Sequence, residues 1–518
     1  MKPNITAALG LTLAALFVAG LAIYRIDTWE LGFGDGAFLT QLADNIAQTG
    51  KPLSQLSASF DEMFARVLWG PTEELCSGPL KIQSPVEFNY FKWHAYSVLY
   101  LIAPLVYVFG GKLVLSTLTA FSFAAIPCGA YYYLRRKGVG HWSCLLVALL
   151  LIAHPAWSVS LQGQMYADRL FLGVGFALFL LLDDPVKNRI SILILLMVGS
   201  TVSERFGLVL GSCVVIYLRL RRASIKDNMA IYVCSAVAAA VSIFLLKFVI
   251  VHPSNASFAS MMTPNAFLLN YRGYPSFAQN MWSFLLINGV FALFGMKNWR
   301  MLAIAIFAAL PNIIGNIGGA EKTGYLTHYH STYFPLLAAA LVTSAATLRN
   351  SQFLLSVRAA HLLFFLMIGY AQPTVSLKNV TSSGPARLWA DIESLYQGAK
   401  ALNVIQYREI ARAIPPHSNV VTLEGLMPIL YPAAANLQTY PLGIDDANYV
   451  VLPWWQTVPG GSYQFPASYS FLGVEERKKQ DALIAIRLSK LGFDLDRPKI
   501  IGAWAILSKL PLNAPMTK

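Results

Sequence analysis

Charge is scarce in this 518-residue chain: Asp, Glu, Lys and Arg make up 13% of it, while 56% is hydrophobic and the mean hydropathy is +0.52. A soluble domain carries about 25% charged residues, so the shortage excludes an ordinary soluble globular protein. Cysteine is scarce as well. Five are too few for a disulfide framework, and Cys128, Cys144, Cys213 and Cys234 fall inside apolar runs, with only Cys76 in a polar loop. No disulfide and no Cys/His zinc constellation is expected. G-x-S-x-G, Walker A, G-x-G-x-x-G and H-E-x-x-H are missing from any context that would support them, which argues against soluble nucleotide chemistry. Internal repeats and low-complexity tracts are missing too. Acids are the scarcer sign, 26 against 39 bases for a net charge of +13. The bases cluster in short loops, a pattern of membrane orientation and not of nucleic-acid binding.

Long apolar runs are what the chain does have. Residues 5–24 form an unbroken run, enough to cross about 30 Å of hydrocarbon. A retained anchor is expected over a cleaved signal peptide, since only Lys2 precedes the run and no A-x-A site precedes Asp27. Further spans are expected near 112–134, 141–157, 168–182, 188–203, 204–218, 229–251, 281–296, 300–316, 331–347 and 352–371, making about eleven. The loops at 135–140, 183–190, 219–228, 297–300 and 348–358, with Lys2, hold 14 bases against the acids Asp183, Asp184 and Asp227. The positive-inside rule then puts the N-terminus in the cytoplasm and the long loops outside. The first outer loop is 25–111. Within it, 94–109 is apolar enough to span, but counting it would send the basic loops to the wrong side. A helix lying in the outer interface is expected there, where Trp93 and the Tyr residues fit.

The segment from 372 to 518 reads differently. Helical apolar spacing covers 388–413, and "PPHSNVVTL", "NYVVLP" and "AWAILSKL" read as short buried strands, with a Gly/Pro loop at 453–466. The expected architecture is a polytopic α-helical membrane module over 1–371 with a small extracytoplasmic α/β domain at the C-terminus.

A charge near hydrocarbon costs roughly 2.5–3.5 kcal/mol at a helix centre, so each one there needs a reason. Asp35 sits in "FGDGAF", flanked by glycines that allow a ligand close approach; the plainer reading is an N-cap for a helix over 36–48. Asp168, followed by Arg169, opens the fourth span, with a cap or a surface ion pair as the alternative. Two carboxylates brought to one mouth can share a divalent cation, Mg or Mn, or one can deprotonate a hydroxyl that the other orients. Glu204 and Arg205 occupy a sharp turn between two spans. They suit a structural ion pair as well as a fork that grips phosphate. His94 starts the interfacial helix. His328 and His330 lie at the mouth of the tenth span near Lys322, where they suit structure or an anionic headgroup.

Together these features resemble the GT-C superfamily of membrane glycosyltransferases, with a first helix running outwards, a large outer loop bearing an early acid, a helical bundle and an end domain. Within it the chain is most similar to a bacterial and archaeal membrane-protein family of unknown function. The likeness is carried by "HAYSVLYLIAPLVYVFGG", "SERFGLVL", "HYHSTYFPLLAAA", "IPPHSNVVTLEGLMPILYP" and "DDANYVVLP". "MYAD" is similar to the matching stretch of lipid A aminoarabinose transferases. The order Ser-Glu-Arg differs from that family's K-E-D segment, and Gly36 follows Asp35 where many relatives have an acidic pair. The resemblance implies transfer of a sugar from a polyprenyl-phosphate donor to a lipid, glycan or protein acceptor at the outer face of the inner membrane. Asp35 would be the general base and Asp168 a second acid. Arg205 and Glu204, with Lys322, His328 and His330 or a metal, would serve the lipid phosphate. Trp69, Tyr90, Trp93 and His94 would contact sugar or acceptor. Membrane lipids are expected partners and nucleic acid is not. The rival readings are a flippase for lipid-linked saccharide, and a non-catalytic polyprenyl-lipid-binding protein of envelope assembly. Mid-span regions nearly bare of charge, with Lys247 close to a helix end, favour surface chemistry over transport.

Overall fold

The structure is a computed structural model that describes residues 35–58, 79–80, 88–154, 166–250, 294–314 and 328–347, most of 402–453 and 474–509, and a few single positions. The expected spans at 5–24 and 352–371 lie outside the described residues but for Thr12 and Arg358, as does most of 281–296. The chain divides into two compact units, one of Met1–Ile26 with Phe91–Glu393, the other of Asp27–Tyr90 with Ser394–Lys518.

Helix α1 (Asp35–Thr49) belongs to the second unit. The helices described in the first unit are α2 (Val98–Phe109), α3 (Gly111–Arg136), α4 (His141–Ala153), α5 (Leu170–Leu181), α6 (Arg189–Thr201), α7 (Phe206–Leu220), α8 (Met229–Phe244), α9 (Trp299–Ile314) and α10 (Phe334–Thr347). From α3 onward each lies on one of the expected apolar runs. Gly111–Arg136 and Met229–Val249, which is α8 plus one π turn, are long and apolar enough to cross a membrane alone; α2, α4, α6, α7 and α10 are shorter apolar helices. Many large apolar side chains face outward, among them Trp142 (75% exposed), Ile190, Val233 and Val237. That surface suits hydrocarbon better than water.

Small residues let α7 and α8 approach closely. A Cβ on Gly211 would lie 2.3 Å from the Ser235 carbonyl oxygen, and one on Gly207 2.5 Å from that of Ala238. This is the packing device of membrane helices, where lipid supplies no hydrophobic drive between helices. Ser122 on α3 fixes the start of α5: its hydroxyl donates to the carbonyls of Arg169 and Leu170 and accepts from the Gly173 N–H at 2.7 Å. The 3-10 turn Ala167–Arg169, which carries Asp168, is thereby held against the bundle.

At the opposite ends of α3, α5 and α7 the basic loops gather. Asp183 accepts from Lys137 and from the Tyr133 hydroxyl, Arg221 donates to the carbonyls of Leu182 and Asp183, and Arg189 donates to that of Asp227. These three basic loops therefore share one end of the bundle.

The second unit holds helices α11 (Leu402–Ala413) and α12 (Val474–Lys490) and strands β1 (Asn419–Thr422), β2 (Asn436–Thr439), β3 (Tyr449–Pro453), β4 (Lys499–Ile501) and β5 (Trp504–Ser508). The sheet order is β2-β1-β3-β5-β4; β1 runs parallel to β2 and β3, and β5 antiparallel to β3 and β4. The three expected strands are β1, β3 and β5. The short flanking strands β2 and β4, and helix α12, were not anticipated. Val421, Val450, Leu507, Ile484 and Leu488 form the core, and Leu80 from the first loop is buried among them. Its N–H donates to Asp445, its carbonyl accepts from Gly443, and Asp445 is held by a two-pronged Arg487 at 2.6 and 2.8 Å. The Tyr431 hydroxyl likewise reaches Asp44 of α1. Stretches nearly 400 residues apart thus build one body.

Candidate functional site

The α6–α7 connection is only Val202–Arg205, so Glu204 and Arg205 are presented on a tight turn between two helices. Glu204 is buried and both of its oxygens are engaged. Oε2 accepts from the Ala95 N–H and the Ser203 hydroxyl, each at 3.1 Å, while Oε1 lies 3.1 Å from His94 Nδ1 and 3.6 Å from Arg205 Nε. The two basic groups stay partly exposed, His94 at 33% and Arg205 at 23% of the side chain. The His94 ring stacks on Tyr96 at 5.5 Å.

Asp168, on the turn before α5, completes the cluster. It feels the charges of Arg205, Glu204 and His94. The two carboxylates, both in turns outside the helices, respond oppositely. Burial raises Asp168, Arg205 only partly opposes this, and Glu204 adds to it, leaving its pKa at about 6. Burial also raises Glu204, but His94 and Arg205 with the hydrogen bonds outweigh it and hold Glu204 at about 2. One acid therefore stays ionised while its neighbour titrates near neutrality, the separation on which acid–base sites depend.

A second turn packs beside the first. The 3-10 segment His328–Thr332 contacts the Asp168 turn, and its His330 is fully buried. His154, at the end of α4, lies between the rings of Phe291 (4.5 Å) and Phe334 (4.7 Å), is hydrogen-bonded with Asn288, and feels His330. Sequence reasoning passed over His154, whose one signal is a His-Pro step closing an apolar run.

Of the expected site residues, Asp168, Glu204, Arg205 and His94 come together, with His330 on the adjacent turn. Trp93 is half-buried next to His94. Tyr90 belongs to the second unit, buried, its N–H donating to the Pro52 carbonyl at 2.8 Å. Asp35 is the first residue of α1 in that same unit. The side chains of Asp35 and His328 lie outside the described residues, as do Trp69 and Lys322 entirely. Among the described residues, no group of three or more His, Cys, Asp or Glu is placed to hold a metal ion.

Comparison with solved structures finds ArnT from Cupriavidus metallidurans bound to undecaprenyl phosphate, 12% identical, covering 98% of this chain and 99% of that one with a TM-score of 0.52. The apo form of that enzyme gives 12% identity, 98% and 100% coverage and a TM-score of 0.48. The apo oligosaccharyltransferase of Archaeoglobus fulgidus gives 14%, 94% and 69%, and 0.37. At such identities the first likeness speaks for the fold alone, a polytopic helical fold shared with that protein. No curated protein matches in sequence. The family of predicted membrane proteins DUF2079 matches residues 53–460, most of the chain, and the protein therefore belongs to that family.

Proposed function

We propose that the protein is a membrane glycosyltransferase that moves a sugar from a polyprenyl-phosphate carrier to a hydroxyl of an envelope lipid, glycan or protein at the outer face of the inner membrane. The observation that carries this reading is the pinning of two partly exposed basic groups, His94 and Arg205, by one buried carboxylate, Glu204. A lipid phosphate at an interface is an oxyanion, and a guanidinium fork beside an imidazole is a matching pair of donors. Glu204, with both oxygens engaged, serves by orienting those donors. The likeness of fold to an enzyme crystallised with undecaprenyl phosphate supports the same carrier class.

In the proposed reaction the acceptor oxygen bonds to the sugar C1 as the bond from C1 to the phosphate oxygen breaks. That electron pair leaves with polyprenyl phosphate, steadied by Arg205 and His94, and the acceptor's proton passes to a carboxylate. Asp35 is assigned as that base from its place after the first apolar run. Asp168 is the second acid, titrating beside Arg205. Lys322 and His328 are assigned to the donor side and Trp69 and Trp93 to sugar rings, whereas Tyr90 and His330, expected to share those roles, are buried and are not assigned to them.

The test is release of polyprenyl phosphate from extracted lipid-linked sugars by the purified full-length chain. Asp168→Asn and Arg205→Ala should each slow release about 100-fold or more. Movement of the intact donor across a vesicle membrane with no bond broken would replace this reading with a flippase.

A further inference from the structure

The basic end of the bundle, at the far end of α6 and α7 from the turn that carries Glu204 and Arg205, holds a second feature. Helices α6 and α8 with the loop before α8 enclose an open groove of about 840 Å³. One wall is the α6 stripe Arg189, Leu193, Met197; the other is the α8 stripe Val233, Val237, Val241. Each stripe steps by four residues, so each keeps one face of its helix toward the groove. Met197 and Val237 are each 56% exposed, and Val233 and Val241 are more than half exposed. The Ser200 hydroxyl is spent on the Met197 carbonyl, so the walls stay apolar. Polar groups collect at one end only. Arg189 is fixed there by its bond to the Asp227 carbonyl, and exposed Lys226 makes no ion pair among the described residues. Two cations against the single carboxylate of Asp227 leave that end positive.

We propose that this groove holds one anionic glycerophospholipid, its phosphate between Arg189 and Lys226 and an acyl chain along Met197, Val233 and Val237. The dimensions agree: the run from Met229 to Val241 rises about 18 Å, a length of apolar wall along which an acyl chain can lie. The charge selects among lipids, because a basic recess between helices at headgroup depth favours an anionic head over a zwitterionic one. The proposal is independent of the glycosyltransferase reading and concerns the opposite end of α7 from Arg205.

Thermal unfolding of the delipidated full-length protein in detergent tests it, with phosphatidylglycerol and phosphatidylcholine as probes, since a ligand held only by the folded state raises the midpoint. Phosphatidylglycerol should raise the midpoint several degrees more than phosphatidylcholine. Arg189→Gln with Lys226→Gln should abolish the difference, and Val237→Trp, filling an exposed position of the groove, should remove the response to both. Lys226→Gln alone, at an exposed site, should reduce the difference without lowering the lipid-free midpoint. Equal responses in the unaltered protein, no response to either lipid, or an anionic preference that survives the double substitution would overturn the proposal. A preference abolished instead by Arg205→Ala would move the headgroup to the cluster and overturn it equally.

Discussion

His94 and Glu204 lie 110 positions apart in the chain and meet at 3.1 Å, ring nitrogen Nδ1 to carboxylate Oε1. The contact fastens the residues leading into α2 to the α6–α7 turn, and the neighbouring Ala95 N–H doubles it. A carboxylate engaged on both oxygens in a buried turn leaves little freedom to what it holds, which is how a site gains precision.

Glu204→Ala should therefore affect stability as well as activity. It removes the acceptor of the Ala95 N–H and the Ser203 hydroxyl and strands Arg205. The loss expected is about 2 kcal/mol, below the roughly 3–5 kcal/mol for a fully buried pair because His94 and Arg205 are partly exposed. Thermal unfolding in detergent measures it. Glu204→Gln, which keeps an acceptor, should lose less, and an unchanged midpoint in both would contradict the anchoring role.

Asp168 sets a pH dependence whose sign follows from its raised pKa. Burial favours its protonated form in the fold, so its contribution to stability is fullest below about pH 4 and declines as pH rises through about 6. Activity runs the other way, because the ionised carboxylate is the working form. Sugar transfer should climb from pH 5 to a plateau above about pH 7, and Asp168→Asn should remove that limb. Glu204, held at about 2, stays ionised throughout this range. A flat profile between pH 5 and 7 in the unaltered protein would exclude Asp168 from the chemistry.

Gly211→Val probes the α7–α8 contact. The added Cβ would sit 2.3 Å from the Ser235 carbonyl, and backbone cannot swing aside as a flexible side chain can. Overpacking of this sort costs roughly 1–3 kcal/mol, read as a lowered midpoint or a lower yield of folded protein. Gly138→Ala, at an open position where φ is +85°, gives a comparison in which strain and not a clash is introduced.

In the second unit, Asp445→Ala would break the pair with Arg487 and release the Leu80 N–H. Hydrogen bonds to charged groups are worth about 1.5–3 kcal/mol each, and this one fastens a loop. Proteolysis near Leu80 should quicken several-fold while cleavage within β1 and β3 does not. Equal protection in both proteins would contradict the fastening.

Much of this architecture is legible in the sequence because hydrocarbon is a strict solvent: a run such as 229–251 has few options, and α8 lies on it. The same strictness made Asp168, Glu204 and Arg205 stand out, since charges near the bilayer need a reason. Their assembly was not legible. That Glu204 holds His94, that Leu80 enters the core around β3, or that His154 is stacked on Phe334 depends on contacts distant in sequence, for which apolar periodicity has no signal. β2 and β4 escaped for another reason: Asn436–Thr439 and Lys499–Ile501 are flanking strands too short for an alternation to read.

The central claim is that Arg205 and His94 receive the phosphate of a polyprenyl carrier, and native mass spectrometry of the gently extracted full-length protein tests it most directly, with Arg205→Ala alongside. The account predicts a retained polyprenyl phosphate or its glycosylated form, lost in the variant, with the mass difference naming the sugar. Bulk phospholipids alone in both samples would contradict it.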